Sequence, residues 1–271
     1  MMTEAAFLFD TGATSHMGKV RDHNEDAFLL RPEVGVWLVA DGMGGHEAGD
    51  FASRTIAESV ASIGRPLSAP DLQARFTDRI LRAHQAIQAQ SQRLGGATVG
   101  ATLVALLTYE HHFACIWSGD SRIYLLRGGH FAQVTVDHTE VQELLRTGAI
   151  TPEQALTWPR RNVITRAIGV ADRPMTDERN GAMADGDTFL LCSDGLTEHV
   201  ADAEMAAILA GHGAQGACDA LVDMTLARGA RDNVTVVVVR CRDRLAVQSG
   251  AGAQGAAPLA PDARNEWHVG G

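Results

Sequence analysis

Lysine is almost missing from this chain: of 23 basic residues among 271, Lys19 is the one lysine. The rest are arginine, a bias read as genomic codon usage, although Arg also suits forked contacts to oxyanions. Positive charge is outnumbered, with 23 Lys and Arg against 33 Asp and Glu, for a formal net charge of −10. That balance argues against nucleic acid or an anionic membrane as the main partner. No apolar run approaches the ~18 residues that a membrane-spanning helix needs. The first ten residues carry Glu4 and Asp10 and no basic segment, which speaks against a cleaved signal peptide. Cysteine is scarce as well. Cys115, Cys192, Cys218 and Cys241 show no metal-ligand spacing, and three sit in apolar, strand-like runs. They are expected to be small buried hydrophobes in a reducing cytosol. What the chain does have is apolar bulk: 45% hydrophobic residues, ordinary for a globular protein. The length suits one or two domains.

Residues 1–14 show no clear period, and residues 248–271 are rich in Gly, Ala, Gln and Pro and read as disordered. Between them, strands are expected at 27–30 and 34–40, then helices at 47–62 and 71–93. Strands follow at 101–109, 112–117, 122–126 and 131–136, and short helices at 139–146 and 152–156. After a polar stretch come a strand at 188–192, helices at 202–210 and 214–228, and a last strand at 234–240. Hairpin links and strand blocks separated by helix pairs predict antiparallel sheets covered by helices. Strict βαβ alternation is missing, which disfavours a doubly wound parallel sheet.

The informative feature is where carboxylates fall. VWLVADG ends a strand at Asp41-Gly42, LLCSDG ends one at Asp194-Gly195, WSGDSR sets Asp120 after a strand, and ARDNVTVVVV sets Asp232 before one. A single Asp-Gly after a strand is usually a turn; four such sites at strand ends are not. In antiparallel sheets all four can gather at one edge. The first hairpin centres between residues 33 and 34, so Asp26 and Asp41 should face each other across the ladder. The hairpin at Glu110–His111 puts Asp120 level with Gly100 and Ala101. Carboxylates so crowded would raise each other's pKa. Divalent cations remove the conflict, and all-oxygen ligation favours Mg²⁺ or Mn²⁺.

With these motifs in order, the chain resembles the bacterial branch of the metal-dependent protein phosphatases, the PPM family of type 2C Ser/Thr phosphatases. The matching segments are GKVRDHNEDAF (18–28), VADGMGGHEAGDFAS (39–53), GATLVALL (100–107), WSGDSRIYLLR (117–127), VTVDHT (134–139), RNVITRAIG (161–169), LLCSDGL (190–196) and ARDNVTVVVV (230–239). The resemblance implies an α+β fold: a four-layer α–β–β–α sandwich of two antiparallel sheets flanked by helix pairs, with a flap segment. The phosphatase domain would span residues 12–243, with the flap at about 138–169, an N-terminal extension at 1–11 and a disordered tail at 244–271.

It also implies roles. Asp41 would bridge two Mn²⁺ or Mg²⁺ ions, and Gly42 would give its carbonyl to the second. Asp194 and Asp232 would hold the first ion. Glu25 and Asp26 match the acidic pair near the second, one acting through water. Asp120, with Asp194, matches a third, weaker site found in many members. Arg21 matches the arginine that grips the substrate phosphate. A hydroxide bridging two cations would then displace the serine or threonine alkoxide. In animal members the general-acid histidine lies two residues after the bridging Asp, where this chain has Met43. His46, five residues on, would be the proton donor or substrate orienter. Trp158-Pro159 stands where many bacterial members have His-Pro, and Trp158 is either packed or a stacking surface for a protein substrate.

The implied substrates are phosphorylated proteins, in opposition to a bacterial Ser/Thr kinase, with type VI secretion as one setting. A phosphoprotein-binding pseudo-phosphatase is the alternative; it is disfavoured because Asp41, Asp194 and Asp232 are all present. A two-metal nuclease is disfavoured by the net charge and by the lack of a basic, aromatic-rich groove.

Overall fold

The computed structural model describes residues 6–249, without the side chains of His46 and Ser249. The strands are β1 (Phe7–His16), β2 (Asp26–Arg31), β3 (Val36–Met43), β4 (Gly100–Ala101), β5 (Leu103–Tyr109), β6 (His112–Ser118), β7 (Arg122–Arg127), β8 (His130–Gln133), β9 (Asp177–Ala182), β10 (Thr188–Cys192) and β11 (Val234–Asp243). The helices are α1 (His46–Ala61), α2 (Ala69–Arg93), α3 (Glu140–Arg146), α4 (Pro152–Leu156), α5 (Asp194–Thr197), α6 (Asp202–Gly211), α7 (Ala214–Ala227) and α8 (Arg244–Ser249). All ladders between these strands are antiparallel. One sheet runs β1-β11-β10-β7-β8 and the other β2-β3-β5-β6-β9, with β4 on β3.

Three layers of apolar contact make this a four-layer sandwich. In β3, Val36, Leu38 and Ala40 face the α1 and α2 side, where they meet Ile56, Val60, Phe76 and Ile80. The alternate residues Trp37 and Val39 face the other sheet and join Phe189, Leu191, Val237 and Val239. Val236 and Val238 of β11 turn outward onto Leu209, Leu221 and Val222 of α6 and α7. The period of two explains why the central strands read as unbroken apolar runs: both faces are buried. Each large aliphatic side chain so buried contributes about 1.5–3 kcal/mol. The helices follow their local chemistry. Ser68 Oγ accepts the Asp71 N–H to start α2, and Leu72, Phe76, Ile80, Ala83 and Ile87 form its buried stripe.

Two strands escape the sequence reading. Residues 7–16, which show no period, form β1 and pair along their whole length with β11, from Phe7↔Asp243 to His16↔Val234. Residues 7–11, set outside the domain from sequence, therefore lie in the sheet. The polar stretch DERNGA is β9, an edge strand on β6; its exposed alternate residues are Glu178, Asn180 and Ala182, a polar face of the kind that edges tolerate. The expected strand at 131–136 is shorter and ends at Gln133. Residues 244–249 form α8, and residues 250–271 of the tail expected from sequence lie outside the described residues. All four cysteines are buried and unbonded to one another; burial pushes the Cys192 and Cys218 thiols up to about 12. Among the described residues no helix is long and apolar enough to cross a membrane.

Candidate active site

The two sheets end together at one rim, and the carboxylates are there. Asp26 opens β2 and Asp41 nears the end of β3, and their Cα positions are directly paired. The ladder continues with Gly42 N–H on the Glu25 carbonyl at 3.1 Å. Thr102 fixes Asp41 from the other side: its Oγ1 accepts the Asp41 N–H at 3.1 Å, and its N–H donates to the Asp41 carbonyl at 2.8 Å. The pairing Leu103↔Ser118 carries Asp120 level with Ala101, as the sequence register requires. Asp194 follows β10 and opens α5, and Asp232 precedes β11.

Together these elements line a cleft of about 470 Å³. Of the residues singled out from sequence, Arg21, Glu25, Asp41, Gly42, Asp120, Asp194 and Asp232 are on its walls. Asp26 is not. It is buried, takes a hydrogen bond from Ser193 Oγ at 2.8 Å, and keeps its Oδ1 without a hydrogen-bond partner. His46 begins α1, and its side chain lies outside the described residues. Trp158 is half-buried within the flap, donating its Nε1–H to Glu140 at 3.2 Å. The flap itself is α3, α4 and their connections, closed at its neck by a bridge between Thr139 and Ile164. A second groove of about 500 Å³ shares Asp120, Asp194, Glu198 and Asn162 with the cleft and runs past Val141 and Leu156 of the flap. Trp158 lines neither.

The electrostatics are lopsided. The cleft walls carry seven carboxylates (Asp22, Glu25, Asp41, Asp120, Asp194, Glu198 and Asp232) and one guanidinium, Arg21. Burial, and then Asp26, Asp194, Asp120 and Asp232, push the Asp41 carboxyl well above the usual carboxylate range. Burial, then Asp120 and Asp232, do the same to Asp194. Asp26 rises to about 6, chiefly from burial, with Asp232 and Glu25 adding to it. Asp120 also rises to about 6, from burial and Asp137. Arg21 spends its charge on Asp232, with an N–O distance of 2.7 Å, and that bond raises its own pKa. Among the described residues no three His, Cys, Asp or Glu side chains are drawn together closely enough to hold a metal ion as they stand; the carboxylates ring an open cleft.

Sequence reasoning missed the residues that hold this ring. Asn233 is the chief one. Its Oδ1 accepts the Glu25 N–H at 2.8 Å, and its Nδ2 donates to the Met17 and His23 carbonyls at 2.9 and 2.8 Å. One buried amide thus shapes the loop that carries Arg21. The RDNVT motif contains Asn233, but nothing in its spacing points to residues 17–25.

Gly42 is required by close packing. A Cβ there would lie 2.1 Å from the Gly49 carbonyl oxygen and 2.7 Å from that of Glu25. Both obstacles are backbone, so Gly42→Ala must pry β3 from α1. The expected cost is at least the ~1–3 kcal/mol of overpacking. Thermal melting should show a Tm several degrees lower; an unchanged Tm would mean that the start of α1 yields freely.

The sequence of residues 14–224 matches the family model of protein phosphatase 2C. The serine/threonine phosphatase stp of Listeria innocua is 37% identical over 233 residues, covering 82% of this chain and 92% of that one. The serine/threonine protein phosphatase PstP of Mycobacterium tuberculosis is 36% identical over 240 residues, 88% of this chain and 46% of PstP. Among solved structures, PppA, a key regulatory component of T6SS in Pseudomonas aeruginosa, superposes with a TM-score of 0.81 at 39% identity, covering 86% of this chain and 97% of PppA. The catalytic domain of PstP in complex with two manganese ions gives 0.77 at 35% identity, covering 88% of this chain and all of that domain. On the strength of that match, fold and sequence together, the chain belongs to the protein phosphatase 2C family, the metal-dependent serine/threonine protein phosphatases.

Proposed function

We propose that the rim cleft hydrolyses phosphoserine and phosphothreonine in proteins with two divalent cations held by Asp41, the Gly42 carbonyl, Glu25, Asp194 and Asp232. The observation that carries this is the charge count: seven carboxylates against Arg21 would repel a phosphate dianion. Cations make the cleft fit its substrate. The donor set is all oxygen, which suits Mn²⁺ or Mg²⁺. Asp26 Oδ1, buried and without a hydrogen-bond partner, is an acceptor in reserve behind Asp41, and Asp26 reaches the site through water. Asp120 with Asp194 forms a third, weaker subsite. The chemistry such cations supply when bound is charge neutralisation at phosphorus and a lowered pKa of water.

The chain's own residues do the rest. Arg21 exchanges Asp232 for the phosphate oxygens. The exchange is cheap, because the Arg21 side chain is 52% exposed and an exposed ion pair is worth about 0–1 kcal/mol. The substrate polypeptide leaves the cleft along the groove past Val141 and Leu156. His46, at the first turn of α1, serves as proton donor to the leaving alkoxide or orients the substrate. In the cell the enzyme opposes a Ser/Thr kinase, and the likeness to PppA supports a setting in type VI secretion.

Kinetics on a phosphothreonine peptide under saturating Mn²⁺ test the phosphate contact. Losing a charge-assisted bond costs about 1.5–3 kcal/mol, or roughly 10- to 150-fold in kcat/KM. Arg21→Ala should lose that activity mainly through KM, with both cations still bound. If KM and kcat were both untouched, Arg21 would be a surface arginine, and Arg161 in the flap would be the next phosphate anchor to examine.

A further inference from the structure

The turn that presents Asp120 is held by a side chain from the neck of the flap. Gly119 adopts φ +107°, and its two backbone groups are both taken by His138. The His138 N–H donates to the Gly119 carbonyl at 2.9 Å. The Gly119 N–H donates to the His138 ring at Nδ1, 3.2 Å away. An Nδ1 that accepts leaves the ring proton on Nε2, and Nε2 lies 3.1 Å from Asp177 Oδ2. The ring is 7% exposed and stacks on Trp117. The other strand of the neck ends on the same carboxylate: Arg166 donates to Asp177 Oδ1 at 2.7 Å. His138 and Arg166 bracket the flap, whose neck is closed by Glu140 N–H on the Val163 carbonyl and Thr165 N–H on the His138 carbonyl. Asp177 is pulled down to about 2, by the His138 bond first and Arg166 after it. The turn also leans on the site's other side. A Cβ on Gly119 would meet the Thr102 side chain at 2.7 Å, and Thr102 is the residue that fixes Asp41.

We propose that His138, oriented by Asp177, is a positioning residue that sets the Asp120 turn and ties it to the flap neck. Nothing in this arrangement touches the reacting atoms. Its effect is to fix where the Asp120 carboxylate stands, and to make the flap's attachment and the weak cation subsite depend on one ring. The proposal rests on Asp120 serving that subsite, so the test includes Asp120 itself.

The test uses the full chain and Mn²⁺ alone as the probe. Bound ions are counted by electron paramagnetic resonance across a titration that first fills the tight sites, and exchange of the Gly119 amide is followed in metal-free protein. Asp120→Ala should abolish the weak event and leave the tight ones. His138→Ala should keep the tight ions, weaken the weak one by about 10- to 100-fold, the usual toll for a partner behind a ligand, and speed Gly119 exchange. His138→Asn, whose amide oxygen can still accept near the Nδ1 position, should recover most of both. Asp177→Asn, at a side chain 46% exposed, replaces a charged acceptor of the ring with a weaker neutral one without opening the core and should shift both in the direction of His138→Ala, by less. Two results overturn the proposal and differ from one another. A weak Mn²⁺ event unchanged in Asp120→Ala sinks the assignment of Asp120 and the proposal with it. A weak event lost in Asp120→Ala but unchanged in His138→Ala and Asp177→Asn leaves Asp120 in its role and removes His138 from its own.

Discussion

Asp194→Asn should lower kcat on a phosphothreonine peptide by more than ~10³ under saturating Mn²⁺. Asn keeps the size and the hydrogen-bonding shape of Asp, so α5 should still start at residue 194 and the Tm of the metal-free variant should hold or rise. A rise is expected because the lost charge is one that Asp41, Asp120 and Asp232 oppose. What Asn cannot supply is the negative charge that binds a cation and offsets it. The contrast with Arg21→Ala is the diagnostic part. One variant loses turnover and the other loses substrate affinity. A fall in kcat of less than tenfold, with cation binding unchanged, would remove Asp194 from the ligand set.

Removing divalent cations should reduce p-nitrophenyl phosphate hydrolysis to background, and Mn²⁺ should restore it. The same cations should stabilise the fold. A ligand at a hundred times its Kd adds about 2.7 kcal/mol per site. At about 2–4 °C per kcal/mol for a domain of this size, the melting curve should move up by at least several degrees. The shift should shrink in Asp194→Asn and persist in Arg21→Ala. Full activity after exhaustive dialysis into chelator would refute the cation-dependent reading of the cleft.

The two main sheets and most of the carboxylate ring were legible because both follow from a period of two. Once 27–30 and 34–40 are read as a hairpin, the register puts Asp26 opposite Asp41, and the structure has that pair. The same arithmetic brings Asp120 level with Ala101. What was not legible depends on partners far along the chain. FLFDTGATSH has no alternation to announce β1, because its burial is set by β11, more than 200 residues away in sequence. DERNGA looks like a loop because an exposed edge strand has few apolar residues to alternate. The phosphate contact at Arg21 comes from the family resemblance, and neither that nor any spacing rule shows that Arg21 pairs with Asp232. That Asp26 lies off the cleft wall, on Ser193, was beyond the register as well, since pairing across a ladder says nothing about which carboxylate faces the open side.

The carboxylate ring straddles the sandwich. Asp41 lies in β3 and Glu25 just before β2 of one sheet, Asp194 and Asp232 just outside β10 and β11 of the other, and Asp120 in the link from β6 to β7 that crosses between the two. Like charges on facing rims act as a wedge between two plates that Trp37, Phe189 and Val237 otherwise hold shut. A counter-charge seated between them acts as a rivet. On the proposed reading, cation exchange at this rim would also be a mechanical event. Loss of a cation should let the sheets loosen there, and amide exchange should quicken along the rim ends of β3 and β10 while the far ends of the same strands stay protected.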